Sequence, residues 1–339
     1  MIKIKNIYYM LTYAFQSLNS DGYKNIEVEE FEYVADLFAA ILVKGVSNQI
    51  KRGLGREYLL TSDSLSSPHG KINISSSLKS QNILKKKLVC DFDEFSQNFM
   101  LNRILKTTMR LLLMTKEVSK ERKIALKRAM IYFTDVEEVN IHSISWNSLR
   151  YNRNNATYKM LINICYLVIN GMLLTEDDGK NKLAKYVDDQ KMHRLYEKFV
   201  LEYYKKHFPH FNPTASQIDW NVNNGNIDLL PTMKSDITLK YSDKTLIIDT
   251  KYYGHIYQTN YDKKSIHSAN IYQIFTYVKN KDVEGNGKVS GVLLYAKTDD
   301  EDIDSDFIMD GNKISVKTLD LNTDFIKIKD KLNELVSEF

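Results

Sequence analysis

The feature that most constrains the fold is a pair of short strand-like segments within residues 236–251, joined by the polar connection 242–244. So short a polar connection between two runs rich in Ile, Leu and Thr predicts a β-hairpin. Residues 246–248 of the second run are wholly apolar, so the hydrophobic core fixes the end of that strand. The sequence therefore predicts two paired strands at a defined place inside a sheet.

Helical and strand-like segments alternate on both sides of this hairpin. The pattern predicts helices over 193–207, 265–278 and 324–339, and further strands over 226–230, 289–296 and 313–319. The predicted strand 289–296 is continuously apolar, which is typical of the buried centre of a sheet. An order that begins with a helix, three strands, a helix and a strand predicts an α/β fold: a mixed sheet with helices on its faces.

The first half of the chain has a different pattern, because stretches with helical spacing dominate it. They cover residues 7–18, 31–46, 99–114 and 158–168, and two shorter strand-like pieces cover 71–74 and 88–95. A polar segment without periodicity follows and indicates a domain boundary near residue 185. We therefore predict a largely helical N-terminal domain with small strands, residues 1–185, and a mixed-sheet domain, residues 186–339.

Charge is distributed unevenly between these two halves. Basic residues outnumber acidic ones in 1–185, and acidic residues outnumber basic ones in 186–339. A basic half suits nucleic acid or an acidic protein partner, whereas an acidic half is poorly suited to holding a phosphodiester by itself. The two cysteines are far apart, which argues against a disulfide framework or a zinc site. Without a signal peptide or an apolar span, we expect a soluble, cytoplasmic protein with no membrane partner.

Three polar residues are expected to meet at the end of the hairpin. Asp249 and Lys251 are two residues apart on one strand, so their side chains share a face, and the hairpin brings Asp236 beside Asp249. Two carboxylates, with the backbone carbonyl of Thr250, are suitable oxygen ligands for Mg²⁺, with Mn²⁺ as a substitute. Such a metal and a lysine together favour phosphodiester hydrolysis. The alternative interpretation is a surface salt bridge.

The two neighbouring helices contribute further candidates. Gln273 and Tyr277 are four residues apart and share a helix face, where they can contact a scissile phosphate or orient Lys251. Glu197, on the preceding helix, is a candidate fourth metal ligand. The alternatives are a half-buried core residue for Tyr277, an ordinary surface residue for Gln273, and a solvated helix charge for Glu197.

Several segments, taken together, resemble one known family, McrC, the nuclease subunits of modified-cytosine restriction systems. In chain order they are IKNIYYMLTYA, KGVSNQIKRGL, HGKIN, FMLNRILKTT, LLPTMKSDITL, LIIDTKYY, HSANIYQIFTYV and GVLLYA. The resemblance extends over nearly the whole chain. It implies that the C-terminal domain has the PD-(D/E)xK nuclease fold, with Asp236, Asp249 and Lys251 as its motif.

The same resemblance implies partners. It implies that the N-terminal domain docks on a ring of McrB-like AAA+ GTPase subunits and stimulates their GTPase, and that double-stranded methylated DNA is the substrate. Arg52 and Arg56 are candidates for the docking contact, with a solvated basic loop as the alternative. The sequence contains no G-x-x-x-x-G-K-[ST] motif, so we expect GTP to bind the partner and not this chain.

Two other functions remain open. A stand-alone repair or junction nuclease would bind DNA tightly through many phosphate contacts, although the sequence has no long basic run to supply them. A non-catalytic regulator of an AAA+ ring would keep the fold without the chemistry. The presence of all three motif residues argues against that second alternative.

Overall fold

A computed structural model describes residues 2–337, apart from 20–22, 81, 154, 177–188, 253–256, 261–262 and 298–301. The chain forms two compact units: residues 33–176 make one, and residues 1–32 together with 177–339 make the other. The boundary predicted near residue 185 lies outside the described residues. The grouping of residues 1–32 differs from the prediction of one N-terminal domain over 1–185.

Helix α1 (Ile4–Ala14), which α2 (Lys24–Val28) follows, explains that grouping. Tyr9 stacks on Phe325 with ring centroids 4.5 Å apart, and Tyr13 lies edge-on to Phe199 at 5.4 Å. The side chain of Asn6 donates a hydrogen bond of 2.9 Å to the carbonyl of Leu321. Aromatic contacts and a satisfied buried amide therefore fix the N-terminal helix to Phe199, Leu321 and Phe325, all distant in sequence.

The unit of residues 33–176 is mainly helical, with one small sheet. Its helices are α3 (Val34–Arg52), α4 (Ile74–Lys79), α5 (Met100–Met114), α6 (Lys120–Met130) and α7 (Tyr158–Glu176), and its strands are β1 (Glu57–Leu65), β2 (Lys71–Ile72) and β3 (Leu88–Ser96). The strands are antiparallel in the order β1-β3-β2. Gly70, in the turn before β2, has φ +74°, and a Cβ there would lie 2.5 Å from the carbonyl oxygen of Asp91. Only glycine fits this turn.

The other unit contains a five-stranded mixed sheet. Its further elements are α8 (Asp189–His207), β4 (Gln217–Ile218), β5 (Met233–Lys234), β6 (Ile237–Tyr241), β7 (Lys244–Lys251), β8 (Tyr257–Asn260), β9 (Lys263–Ile266), α9 (Ser268–Lys281), β10 (Val289–Lys297), β11 (Asp304–Met309), β12 (Asn312–Asp320) and α10 (Phe325–Ser337). The sheet order is β11-β12-β10-β7-β6. Strand β10 is parallel to β7 and β12, and the outer pairs are antiparallel. The predicted mixed sheet with flanking helices is confirmed.

One predicted strand is wrong. Residues 227–229 form a single 3-10 turn, because the side chain of Asn226 accepts a hydrogen bond of 3.1 Å from the backbone N–H of Asp228. Such a local bond competes with strand pairing.

The core of the sheet lies beneath helix α9. Ile274 and Val278 of α9 pack with Ile247 and Leu293 of the sheet, and all four are fully buried. Each such side chain stabilises the fold by about 1.5–3 kcal/mol. A Cβ at Gly291 would lie 2.7 Å from Ile274, so this glycine permits the close approach of helix and strand. Among the described residues, no helix is both long and apolar enough to cross a membrane.

Candidate active site

The hairpin expected within residues 236–251 is formed. Strands β6 and β7 pair antiparallel, with Ile237 opposite Ile248. Asp236 directly precedes β6, so this register brings it beside Asp249 near the end of β7. Ile247 faces the core beneath α9, and alternation along β7 therefore directs Asp249 and Lys251 to that same face.

Asp236 is anchored by Thr250. Its carboxylate oxygen Oδ2 accepts hydrogen bonds of 2.8 Å from both the backbone N–H and the side-chain hydroxyl of Thr250. The pairing of β6 with β7 has ended at this point, so the carboxylate replaces the missing strand partner of that N–H. The second carboxylate oxygen, Oδ1, is not engaged in these two bonds.

Asp249 is 1% exposed, and its carboxylate is poorly satisfied. Oδ2 lies 2.5 Å from Nζ of Lys251, yet among the described residues it receives no well-directed hydrogen bond. The two observations agree if the contact is mainly one of charge. Burial and, to a lesser extent, the charge of Asp236 together raise the pKa of Asp249 to about 6, against the opposing effect of Lys251.

Lys251 is buried as well, and two predicted residues of α9 lie behind it. Its Nζ donates a hydrogen bond of 3.0 Å to Oε1 of Gln273, and Nε2 of Gln273 donates one of 2.8 Å to the hydroxyl of Tyr277. Lys251, Gln273 and Tyr277 thus form a continuous hydrogen-bonded row. These bonds place Gln273 and Tyr277 behind Lys251; that they orient it or contact a phosphate stays a prediction.

Glu197, on α8, is close enough to the two aspartates to respond to their charges. Burial, with the charges of Asp236 and Asp249, raises its pKa to about 7, against the opposing charges of Lys234 and Arg194. The role of Glu197 as a metal ligand stays a prediction.

Sequence reasoning missed His193, one helical turn before Glu197. Its Nε2 lies 2.8 Å from the carbonyl oxygen of Thr250, the backbone atom predicted as a metal ligand. The four-residue spacing from Glu197 was a signal, because residues i and i+4 share a helix face.

The donor set can be tested against the magnesium it was predicted to hold. Among the described residues, no three His, Cys, Asp or Glu side chains are grouped closely enough to hold a metal ion. Mg²⁺ does not require such a group, because it keeps several waters and binds through one or two carboxylates. Asp236, Asp249 and the Thr250 carbonyl supply hard oxygen donors, and Oδ2 of Asp249 is buried without a directed hydrogen bond from the part of the chain that the structure describes. These residues fit a hard divalent cation.

Arg52 and Arg56 lie in the other unit, at the end of α3 and just before β1. Both are exposed. Their proposed contact with a partner stays a prediction.

Fold and site together define a class: an α/β protein whose mixed sheet carries a carboxylate pair and a buried lysine at the end of an inner strand. A family model described as "McrBC 5-methylcytosine restriction system component" matches residues 3–296. The chain belongs to this family, which confirms the resemblance found in the sequence. It is 25% identical over 343 residues to the Escherichia coli (strain K12) "Type IV methyl-directed restriction enzyme EcoKMcrBC", covering 100% of this chain and 98% of that relative.

Two solved structures are also similar. The first is a chain of the refined half-complex from the tetradecameric assembly of Thermococcus gammatolerans McrB AAA+ hexamers with bound McrC. It has a TM-score of 0.52 at 14% identity, over 98% of this chain and 76% of that one, and this likeness shows a shared fold. The second is a chain of the cryo-EM structure of the T. gammatolerans McrBC complex, with a TM-score of 0.43 at 17% identity, over 59% of this chain and 56% of that one.

Proposed function

We propose that this chain is the DNA-cleaving subunit of a GTP-dependent, methylcytosine-specific restriction complex, and that it hydrolyses phosphodiesters with Mg²⁺. The observation that carries the proposal is the convergence of Asp236, Asp249 and Lys251 at the end of β7. A carboxylate that burial and a like charge make costly to ionise is a natural cation site.

A bound Mg²⁺ would supply Lewis acidity toward the scissile phosphate and its attacking water. Asp236 and Asp249, with the carbonyl of Thr250, would hold the ion. Lys251 donates to whichever anionic oxygen replaces its contact with Asp249, and so stabilises charge that develops on the phosphate. Gln273 and Tyr277 keep the ammonium in place through their hydrogen bonds.

The PD-(D/E)xK arrangement is part of this proposal. It is supported by the order of the elements: Asp236 precedes the first strand of a hairpin, Asp249 and Lys251 lie on the second, and α9 follows with two polar residues behind the lysine. Glu197 on α8, whose pKa burial and the charges of the two aspartates raise, is the candidate for a further metal ligand.

The partner proposed for this chain is a ring of McrB-like AAA+ GTPase subunits. Family membership supports it, and similar solved structures are complexes that contain McrB. The partner would bind GTP and recognise methylated DNA, which would explain how an acidic half, residues 186–339, cleaves a polyanion. We propose that the unit of residues 33–176 docks on the ring. Replacing Arg52 or Arg56 by Ala should then lower stimulation of the GTPase without changing metal affinity.

The test compares two aspartates of the same hairpin. Purified protein, its cognate AAA+ partner, GTP and Mg²⁺ are mixed with methylated or unmethylated plasmid. We expect cleavage of the methylated plasmid alone, its loss in Asp249→Asn, and its retention in Asp243→Asn, since Asp243 lies in the exposed turn. Full cleavage by Asp249→Asn would refute the site. Efficient cutting of unmethylated plasmid without the partner would favour a stand-alone nuclease.

A further inference from the structure

A directed hydrogen bond joins helix α8 to the end of β7. Nε2 of His193 lies 2.8 Å from the carbonyl oxygen of Thr250. A carbonyl oxygen can only accept, so Nε2 carries the hydrogen and the imidazole is the donor. His193 is half-buried, whereas Thr250 is fully buried.

Thr250 is where these interactions converge. Its N–H and hydroxyl both donate to Asp236, and its carbonyl accepts from His193. Within a strand, the N–H and C=O of one residue point to the same side. On the β6 side of Thr250 the strand pairing has ended, because the last paired residues are Ile237 and Ile248. Two side chains, from Asp236 and His193, therefore replace the missing strand.

We propose that His193 is a positioning residue for the metal-binding end of β7, an inference that rests on the proposed function. By holding the Thr250 carbonyl, His193 fixes the residue whose N–H and hydroxyl orient Asp236. Two of the oxygen donors are thereby set before a cation arrives. A carbonyl has two lone pairs, so one bond from His193 leaves the other available.

The expected size of the effect follows from this indirect role. Partners that orient metal ligands typically change metal affinity or activity by about 10- to 100-fold when they are removed. A donor placed where Nε2 lies should restore the function. Glutamine carries such a donor at a similar reach, and alanine carries none.

The test measures Mn²⁺ binding to the full-length protein by electron paramagnetic resonance titration. We expect His193→Ala to weaken Mn²⁺ affinity about 10- to 100-fold, and His193→Gln to recover most of it. His207→Ala is the matched control. His207 lies on the same helix, but its ring forms a hydrogen bond with the hydroxyl of Tyr13 and not with β7. That variant should bind Mn²⁺ as the wild type does. Thermal unfolding of each variant checks that it is folded.

Cleavage assays add a readout that a general loss of structure would not give. With His193→Ala, the Mn²⁺ concentration needed for half-maximal cleavage should rise, while the rate at saturating Mn²⁺ returns close to that of the wild type. An unchanged metal requirement in His193→Ala would overturn the inference and leave the proposed function intact. Absence of Mn²⁺ binding by the wild type would instead overturn the proposed function, and this inference with it.

A direct metal bond to His193 must be distinguished from positioning. Electron spin echo spectra of the Mn²⁺-loaded wild type should contain no ¹⁴N coupling from a bound imidazole. A strong ¹⁴N coupling that disappears in His193→Gln would make His193 a ligand and overturn its positioning role.

Discussion

The two ends of strand β7 carry the same kind of ion pair in opposite settings. At the turn, Asp243 pairs with Lys288, and their side chains are 58% and 47% exposed. At the other end, Asp249 pairs with Lys251, and their side chains are 2% and 8% exposed. The hydrogen bond from Lys288 lowers the pKa of Asp243, whereas burial raises the pKa of Asp249 despite its lysine.

The difference in burial distinguishes the ordinary surface ion pair of Asp243 and Lys288 from the pair of Asp249 and Lys251, which is costly to keep charged. At the exposed end, water solvates both charges and the pair costs little to form. At the buried end, the desolvation of Asp249 and the nearby carboxylate of Asp236 outweigh the attraction of Lys251 for the charge of Asp249. A carboxylate pair kept at such cost is typical of a cation-binding or catalytic site.

The largest effect on the cleavage rate is expected from replacing Lys251 by alanine, with the same replacement at Lys288 as its control. Lys251→Ala should lower the cleavage rate by about 10²- to 10³-fold, because it removes a charge that stabilises the transition state. Lys288→Ala, at the exposed end, should cut DNA at the wild-type rate. Single-turnover cleavage with the AAA+ partner measures both.

Two controls sharpen the role of Lys251. Lys251→Arg should restore little activity, because guanidinium is larger and planar. Mn²⁺ titration calorimetry should show that Lys251→Ala still binds metal. Lost metal affinity in that variant would mean that the lysine holds the site together structurally.

A smaller effect on the cleavage rate is expected at Tyr277, which contacts Lys251 only through Gln273. Tyr277→Phe removes the hydroxyl that accepts the hydrogen bond of Gln273. We expect the cleavage rate to fall by roughly tenfold, because one hydrogen bond contributes about 1.4 kcal/mol and this energy corresponds to a tenfold change in rate. Tyr272→Phe is the control, because Tyr272 is an exposed tyrosine on the same helix. Equal rates for Tyr277→Phe and the wild type would show that the row of hydrogen bonds does not orient Lys251.

The smallest effect concerns stability without metal. The folded-state pKa of Glu197 is raised from 4.5 to about 7, so its charge destabilises the fold increasingly as pH rises through this range, and most strongly above pH 7. Glu197→Gln should therefore raise the Tm at pH 8 by about 2–4 °C, after discounting for its partial exposure, and by much less at pH 5.

At the exposed end of β7, the charge of Asp243 has the opposite effect on stability. The pKa of Asp243 is lowered, so its charge stabilises the fold above its ordinary pKa, and Asp243→Asn should not raise the Tm at pH 8. Differential scanning fluorimetry in chelator-treated buffer measures both variants. The same gain for Glu197→Gln at pH 5 and pH 8 would show that the pKa of Glu197 is not raised in the folded protein.

Local patterns predicted the centre of the site. The hairpin, the alternation along β7 and the four-residue spacing on α9 depend on neighbours in sequence, so Asp236, Asp249, Lys251, Gln273 and Tyr277 could be brought together without a structure. Their catalytic roles remain predictions.

Long-range packing decided what could not be predicted. The bond from His193 to Thr250 depends on how α8 lies against β7, and 57 residues separate the two partners. Strand β1 contains Thr61, Ser62 and Asp63, which break the apolar alternation that would have indicated a strand. The place of α1 depends on contacts with residues near 321, which no local pattern encodes.

The most direct test of a cation site at the buried end of β7 is anomalous diffraction from crystals of the full-length protein grown with Mn²⁺. We predict an anomalous peak within bonding distance of the Asp236 and Asp249 carboxylates and the Thr250 carbonyl, and its loss in crystals of Asp249→Asn. No peak is predicted at the exposed Asp243. Well-ordered Asp236 and Asp249 carboxylates with no anomalous peak at saturating Mn²⁺ would contradict the assignment of this site.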